Sequence, residues 1–278
     1  MDTTSDNKVT GNMILYDEVL TVLPEGVKAV SVEEYGDSLW SQTGRINAMD
    51  ANSTQTSYFL KYVSDEHGEP QLEGEYTGML ELYNTAPQIT PKPHPFLQLG
   101  NLASIFQLMT VRNLGQWDDS WTSCFARLLK GLWELDSKVN GHWDELDTAM
   151  ENTLTKVIPR LIGILERDGR SIKPCLIHGD FWESNIGTDA DTGNIYIFDA
   201  SAYYAHNEME IGIWTVDHHE MQDKVYRQAY AKQFRKRVPK EAIVRQGVPK
   251  GADARQGALN DLQDLIAKYG DEHADLSK

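Results

Sequence analysis

The chain has 278 residues, of which 40% are hydrophobic, and a formal net charge of −16. An acidic chain repels nucleic-acid phosphates, so we expect no nucleic-acid partner. No apolar run approaches the roughly 20 residues that cross a bilayer, so we expect no membrane partner. Residues 1–10 resemble neither a secretory signal nor a transit peptide, and Cys124 and Cys175 lie in apolar surroundings. Both features favour free thiols in the cytoplasm.

The first part of the chain alternates between helical and strand patterns. An amphipathic pattern over residues 11–23 predicts a short helix that ends before Pro24. Residues 28–35 and 55–63 are β-type and predict two strands. A loop of small residues, 36–44, follows the first of them. This order of strand, loop and strand is typical of a lobe that covers the phosphates of a nucleotide.

A lysine and a glutamate are the candidate phosphate-binding residues of this part. Lys61 lies in the second predicted strand, and Glu75 lies in a predicted helix after it. The apolar residues of that helix fall on one face: Leu72, Tyr76, Met79, Leu80 and Tyr83. We expect Lys61 to reach the phosphates of ATP and Glu75 to position it through an ion pair. The alternative is that Glu75 is a solvated helix charge.

The second part of the chain is mainly helical. One helical pattern starts at Trp121, after a capping segment at 118–120, and a second runs over residues 146–165, where Pro159 should kink or divide it. Further helices are predicted around Met221 to Phe234 and around Leu259 to Tyr269. His142 and Trp143 are interpreted as packing or turn residues, and the pair His218 and His219 as surface residues.

The most informative stretch is residues 174–210. A short apolar strand leads into His178-Gly179-Asp180, Asn185 follows in the spacing D-x-x-x-x-N, and a second apolar strand leads into Asp199. Residues 189–194 predict a hairpin turn between the two strands. In a phosphotransferase, this spacing lets the first Asp act on the acceptor hydroxyl while the Asn and the second Asp hold Mg²⁺. Each residue alone is more typical of a turn or a helix cap, so only the compound pattern carries the prediction.

These residues resemble the fructosamine-3-kinase and ketosamine-3-kinase family, a relative of the aminoglycoside and choline kinases. The resemblance rests on H-G-D-F-W-x-x-N at 178–185 and on F-D-A-S followed by H-N-E-x-E, which ends at 210. The family usually has Leu at Phe181, Gly at Ser184 and Pro at Ala200. These three departures leave the acidic groups intact.

The resemblance implies an α+β, bilobal, protein-kinase-like fold with a small antiparallel-sheet N-lobe and a mainly helical C-lobe. We assign residues 1–95 to the nucleotide-covering lobe and 117–278 to the catalytic helical lobe, with a divergent tail from about 246. The compact segment 96–116 is interpreted as a shortened hinge, because relatives have more chain there.

The function implied by the resemblance is ATP-dependent phosphorylation of protein-bound ketosamines, fructosamine or ribulosamine, at the sugar 3-hydroxyl, a deglycation repair reaction. Asp180 would be catalytic, Asn185 and Asp199 would bind Mg²⁺, and Trp182 would stack on the sugar of a glycated protein or small ketosamine. The supporting residues would be His178, His206, Glu208 and Glu210. The alternatives are another small-molecule kinase of the aminoglycoside and choline kinase superfold, or a catalytically silent, truncated kinase-like protein.

Overall fold

The computed structural model describes residues 9–36, 41–63, 68–94, 118–190, 192–215, 219–234 and 252–271. The strands are β1 (Thr10–Gly11), β2 (Lys28–Glu34), β3 (Gln42–Met49), β4 (Gln55–Tyr62), β5 (Cys175–Ile177), β6 (Ile186–Thr188), β7 (Ile195–Ile197) and β8 (Tyr203–Ala205). The helices are α1 (Asp17–Thr21), α2 (Gly68–Thr85), α3 (Trp121–Asn140), α4 (Asp144–Asn152), α5 (Ile158–Leu161), α6 (Lys224–Phe234) and α7 (Ala252–Tyr269). The predicted hinge 96–116, residues 37–40 of the predicted small-residue loop, and His218 lie outside the described residues, and residues 42–44 of that loop belong to β3 instead.

The chain divides into two compact units. Unit 1 contains the described residues up to 94 together with 187–202, and unit 2 contains 118–186 and the described residues from 203 onward. The sequence-based division placed 187–202 with the C-terminal lobe. The hairpin joins unit 1 because the N–H of Ile197 donates to the carbonyl of Ile89 at 2.8 Å. The boundaries at 95 and 117 remain predictions.

Unit 1 is built on a four-stranded sheet in the order β1-β2-β3-β4. Strands β2, β3 and β4 are antiparallel, and the two-residue strand β1 runs parallel to β2. The middle strand β3 was not predicted, because Gly44 and Arg45 are typical of a loop. Its side chains nevertheless alternate into the core, where Ile46 is 1% exposed. A Cβ at Gly44 would lie 2.3 Å from the sulfur of Met13 and 3.1 Å from the carbonyl oxygen of Glu33, so a larger residue there would require the Met13 side chain to move.

The helices of unit 1 differ from their predictions in extent and in face. Helix α1 has only five residues, and part of the predicted helical segment forms β1 instead. Helix α2 is confirmed, but the predicted apolar face was partly wrong. The buried positions are Leu72, Glu75, Met79 and Leu82. A glutamate therefore occupies a core position of the helix, and Tyr76, Leu80 and Tyr83 are only half-buried.

Unit 2 is mainly helical, as predicted. Helix α3 begins after Ser120, whose hydroxyl accepts a hydrogen bond from the N–H of Ser123 at 3.2 Å. Pro159 divides the next helix as expected: α4 passes into a π-helical turn, Thr153–Val157, before α5 begins. Leu259 and Leu262 of α7 pack with Leu146 and Met150 in one core cluster.

The secondary structure of the two units confirms the α+β prediction. The antiparallel strands β2 to β4 lie in unit 1, and the long helix α3 with α4 and α7 lies in unit 2. Cys124 and Cys175 are half-buried free thiols. Within the described parts of the chain, no helix is both long enough and apolar enough to cross a membrane.

Candidate active site

In unit 1 the structure brings together Lys61, Glu75 and Asp199, three residues that the sequence predicted to handle phosphates and metal. Lys61 lies between the core residues Leu60 and Tyr62 in β4. Since successive side chains of a strand point to opposite faces, the Lys61 side chain lies on the face opposite to theirs. Its Nζ atom lies 2.8 Å from Oε2 of Glu75 and also donates to Oδ1 of Asp199. The side chains of Lys61 and Glu75 are only 2% and 10% exposed, so Glu75 is not a solvated helix charge.

The charges of this cluster do not balance, because one ammonium faces two carboxylates. Burial lowers the pKa of Lys61, but the carboxylates of Glu75 and Asp199 outweigh burial and raise it above its ordinary value. Burial raises the pKa of Glu75 to about 8, against the attraction of Lys61. The charge on Glu75 therefore depends on its contact with Lys61. A further cation at Asp199 would offset the surplus negative charge.

Asp199 has the backbone conformation of a tight turn directly after β7. Its φ is +63°, in the left-handed region that non-glycine residues rarely adopt. The strand before it is held by the β6 to β7 hairpin, which the structure confirms at residues 189–194: the N–H of Asp189 donates to the carbonyl of Asn194 at 2.8 Å. Strain at a single polar residue is typical of functional positions. The carboxylate of Asp199 is 38% exposed, whereas its partner Lys61 is buried.

In unit 2 the structure brings together Asp180 and Asn185. The amide nitrogen of Asn185 donates to the carboxylate of Asp180 at 3.0 Å and to its backbone carbonyl at 2.8 Å. Asn185 is 5% exposed and ends a short 3₁₀ turn, Glu183–Asn185. Since the amide nitrogen bonds Asp180, the amide oxygen is the atom of Asn185 that could bind a cation. The D-x-x-x-x-N spacing thus gives the predicted juxtaposition.

Glu210 anchors the backbone that carries Asp180. Its two carboxylate oxygens accept hydrogen bonds from the N–H groups of His178 at 2.6 Å and Gly179 at 3.0 Å. Gly179 has a φ of +80°, a conformation that a side chain would strain. Burial raises the pKa of Glu210, although these two hydrogen bonds oppose it. Glu210 lies directly against the H-G-D turn, consistent with the predicted bracing role.

Aromatic side chains hold the next residues of the same turn. Phe181 packs against His178 on one side and Trp214 on the other, with ring centroids 5.6 and 5.9 Å apart. The indole N–H of Trp214, which is 3% exposed, donates to the carbonyl of Phe181 at 2.5 Å. Trp214 in turn meets the ring of Tyr230 edge-on at 5.7 Å. Sequence reasoning gave Trp214 no role.

Trp182 and its surroundings correct one prediction. His219 was interpreted as a surface residue, but it is 7% exposed. Its ring meets the Trp182 indole in a T-shaped contact at 4.8 Å, and its Nδ1 lies 3.3 Å from Oε1 of Glu183. Burial raises the pKa of Glu183, but hydrogen bonds, first that from the N–H of Glu220, outweigh burial and lower it. The doubled histidine was the only sequence signal for this contact.

The supporting residues His206 and Glu208 lie at the start of the segment that leads to Glu210. His206 stacks on Trp121 with ring centroids 6.2 Å apart and caps a short 3₁₀ helix by accepting from the N–H of Glu208. Burial lowers the pKa of His206 and raises that of Glu208 to about 7. Their contacts fit a structural role.

Comparison of the sequence with known proteins places residues of this site within a known family. The sequence profile of the fructosamine kinase family matches residues 105–246, slightly more than half of the chain. That range contains Asp180, Asn185 and Asp199 and ends where the sequence predicted a divergent tail. The match begins inside the segment 96–116, the predicted shortened hinge, whereas Lys61 and Glu75 precede it.

Individual relatives give the same family. A chloroplastic protein-ribulosamine 3-kinase of Oryza sativa subsp. indica is 24% identical over 211 residues, covering 61% of this chain and 59% of the relative. A ketosamine-3-kinase of Mus musculus is 32% identical over 101 residues, covering 36% of this chain and 30% of the relative. The chain thus spans less than two thirds of the length of the rice relative that it matches.

Among solved structures, the ADP-bound aminoglycoside phosphotransferase APH(2'')-Ib aligns with a TM-score of 0.44 and 12% identity, covering 92% of this chain and 98% of that one. The class of protein follows from the profile match, which contains the motif residues Asp180, Asn185 and Asp199. This chain belongs to the fructosamine kinase family.

Proposed function

We propose that this protein transfers the γ-phosphate of ATP to the 3-hydroxyl of a ketosamine sugar. The observation that carries the proposal is the contact of Asp180 with Asn185 at 3.0 Å inside the range that matches the fructosamine kinase family. The relatives named above are ribulosamine and ketosamine 3-kinases, which supports ketosamines as the substrate class. The protein-bound form of the substrate and a deglycation role in the cytoplasm are part of the proposal.

Asp180 is the proposed general base. In the reaction, its carboxylate accepts the proton of the sugar 3-hydroxyl, the oxygen bonds to the γ-phosphorus, and the bond to the β-phosphate oxygen breaks to release ADP. The hydrogen bond from Asn185 fixes the rotamer of the Asp180 carboxylate. Glu210 fixes the backbone before it through the N–H of Gly179. A general base whose carboxylate and backbone are both held in place requires little reorganisation when substrate binds.

Lys61 and Glu75 are the proposed phosphate-binding pair. Phosphate oxygens are favourable partners for a lysine in unit 1 because its ammonium is already desolvated, with a 2% exposed side chain. Glu75, at 2.8 Å, holds the ammonium in one direction. Such an ion pair is the part of kinase-like sites that positions the lysine.

Asn185 and Asp199 would hold Mg²⁺. Both offer hard oxygen ligands, which suit this ion, and Asp199 belongs to a cluster with surplus negative charge. Across the described ranges, no three His, Cys, Asp or Glu side chains converge as a metal site. Mg²⁺ usually takes one or two protein ligands and completes its shell with phosphates and water. Mg²⁺ neutralises charge on the phosphates during transfer.

Trp182 is the proposed sugar platform, because an indole ring provides a flat apolar surface for the C–H face of a sugar. It directly follows the Asp180-Phe181 pair and is half-buried, so its ring is partly accessible. His178, His206 and Glu208 support this part of unit 2 without a proposed contact to substrate. The proposed partners are therefore ATP and a glycated protein or a small ketosamine.

ADP release with fructosyl-lysine and ribulosyl-lysine as acceptors tests the proposal. We expect ketosamine-dependent turnover for the natural chain and none for Asp180→Asn, which keeps the shape but cannot take the proton. Asp189→Asn is the matched control, because Asp189 is a half-buried turn residue outside the proposed site, and its carboxylate accepts from the N–H of Thr192. Turnover with aminoglycosides or choline but not with ketosamines would overturn the substrate assignment, and undiminished turnover of Asp180→Asn would overturn the role of Asp180.

A further inference from the structure

His219 is a buried histidine that the proposed reaction does not use, although it touches the proposed sugar platform. We propose that His219 is a positioning residue that fixes the Trp182 indole and thereby sets the affinity for the sugar. This inference rests on the function proposed above and adds a determinant of substrate binding to it. The residue acts through Trp182 and does not itself contact the reacting atoms.

The His219 ring contacts both Trp182 and Glu183. A T-shaped contact joins the ring to Trp182, with centroids 4.8 Å apart and planes at 62°. A hydrogen bond joins Nδ1 to Oε1 of Glu183 at 3.3 Å. Because an ionised carboxylate only accepts, Nδ1 is the nitrogen that carries the proton in this bond. The imidazole therefore bridges two consecutive residues, Trp182 and Glu183.

Glu183 also bonds the backbone next to His219. The same Oε1 atom of Glu183 accepts from the N–H of Glu220 at 2.9 Å, so the carboxylate ties the loop after Asp180 to the chain on the C-terminal side of His219. His219 is 7% exposed, which leaves its ring little freedom to turn away. An indole that meets a fixed ring edge has fewer rotamers available.

A fixed indole has a direct consequence for binding. A sugar that stacks on Trp182 gains affinity only if the ring already has the right orientation, because ordering a free aromatic side chain costs part of the binding free energy. Loss of His219 should thus raise the KM for the ketosamine and leave the KM for ATP unchanged. A merely structural histidine would instead lower the stability and the activity with both substrates.

The variants separate the two contacts of His219. His219→Phe keeps an aromatic ring beside Trp182 but loses the bond to Glu183, and His219→Asn keeps a donor near the position of Nδ1 but loses the ring. His219→Ala loses both. The matched control is His142→Ala, because His142 also bonds a carboxylate, Asp147 at 3.0 Å, but is largely exposed and does not contact Trp182. Thermal unfolding of each variant checks that it folds.

The first measurement is the KM for fructosyl-lysine against the KM for ATP and against kcat. We expect His219→Ala and His219→Asn to raise the ketosamine KM roughly fivefold, the size of an aromatic contact, with kcat changed less than about twofold. His219→Phe should recover most of the loss. Equal changes in both KM values, or an unchanged ketosamine KM in His219→Ala, would overturn the proposal.

The second measurement does not depend on turnover. The chain has seven tryptophans, so protein labelled with 5-fluorotryptophan can be examined by ¹⁹F NMR, and Trp182→Phe identifies the Trp182 resonance by its disappearance. We expect this resonance to shift or change width in His219→Ala and to stay in place in His142→Ala. An unchanged resonance in His219→Ala refutes the positioning role, whether or not the enzyme uses ketosamines. A changed resonance in a protein without ketosamine turnover refutes only the proposed function.

Discussion

The ammonium of Lys61 lies 2.8 Å from the carboxylate of Glu75, and the two side chains are only 2% and 10% exposed. A buried charge that loses its partner is costly, commonly by about 3 to 5 kcal/mol. Lys61→Met removes the buried cation that contacts Glu75 and Asp199, so we expect the free energy of unfolding to fall by about 3 kcal/mol. Glu75→Gln should cost much less, since the lysine keeps Asp199 as its partner. Chemical denaturation monitored by circular dichroism measures both.

A surface lysine provides the control for this experiment. Lys130 pairs with Glu134 at 3.5 Å, but both side chains are more than half exposed. Lys130→Met should therefore change the free energy of unfolding by less than about 0.5 kcal/mol. If Lys61→Met costs no more than Lys130→Met, then the buried pair does not contribute to the stability of unit 1.

The second prediction concerns Asp199, whose partly exposed carboxylate contacts the buried Lys61. We expect Asp199→Ala to weaken ATP binding more in the presence of Mg²⁺ than in its absence, because its proposed role is to hold the ion at the phosphates. Lys61 keeps Glu75 in this variant, so the lysine remains available to phosphate. Calorimetric titration with and without Mg²⁺ measures both affinities. Equal losses under the two conditions would contradict the assignment of Asp199 as a metal ligand.

Glu210 gives the third prediction. Its carboxylate bonds the N–H groups of His178 and Gly179, which precede it in the chain by 32 and 31 positions. Glu210→Ala leaves the N–H groups of His178 and Gly179 without this acceptor, which should cost about 1 to 3 kcal/mol of stability. Glu210→Gln keeps one acceptor oxygen and should cost less. We expect kcat to fall in Glu210→Ala even below its unfolding temperature, because the turn that carries Asp180 loses its anchor. A kcat equal to that of the natural chain would show that the turn needs no such anchor.

The local features of this site were predictable from the sequence. Two apolar runs bounded by turn residues predicted the strands before His178 and Asp199, and the spacing from Asp180 to Asn185 predicted their contact. These features depend on neighbours within a few residues. The hairpin at 189–194 and the break at Pro159 were predicted for the same reason.

Features that depend on distant contacts were not predictable in the same way. Strand β3 contains Gly44 and Arg45, which are typical of loops, and it is a strand because it pairs with β2 and β4 on both sides. The pair of Lys61 and Glu75 was predicted, but its burial was not: Glu75 occupies a core position of α2, so the predicted apolar face of that helix was partly misplaced. His219 was taken for a surface residue because its partner Glu183 lies 36 residues away.

Glu208 provides the last prediction, which concerns stability and pH. Burial raises the pKa of its carboxyl group to about 7 from an ordinary value of 4.5. A carboxyl group with a raised pKa binds its proton more tightly in the folded protein than in the unfolded chain. Its contribution is therefore most favourable at low pH and is lost progressively as the pH rises from about 4.5 to about 7.

Glu208→Gln removes this ionisation while keeping the size of the side chain. Because the Glu208 carboxyl group is partly solvated, water screens part of the penalty for its charge. We therefore expect the variant to gain only about 1 kcal/mol of unfolding free energy at pH 8, with no gain at pH 4. Glu134→Gln, at an exposed position of α3, is the matched control and should show no such difference between the two pH values. Denaturant titrations of the three proteins at both pH values measure the effect. A variant that is destabilised equally at pH 4 and pH 8 would show that Glu208 contributes a contact that does not depend on its ionisation, and that its burial does not penalise the charge.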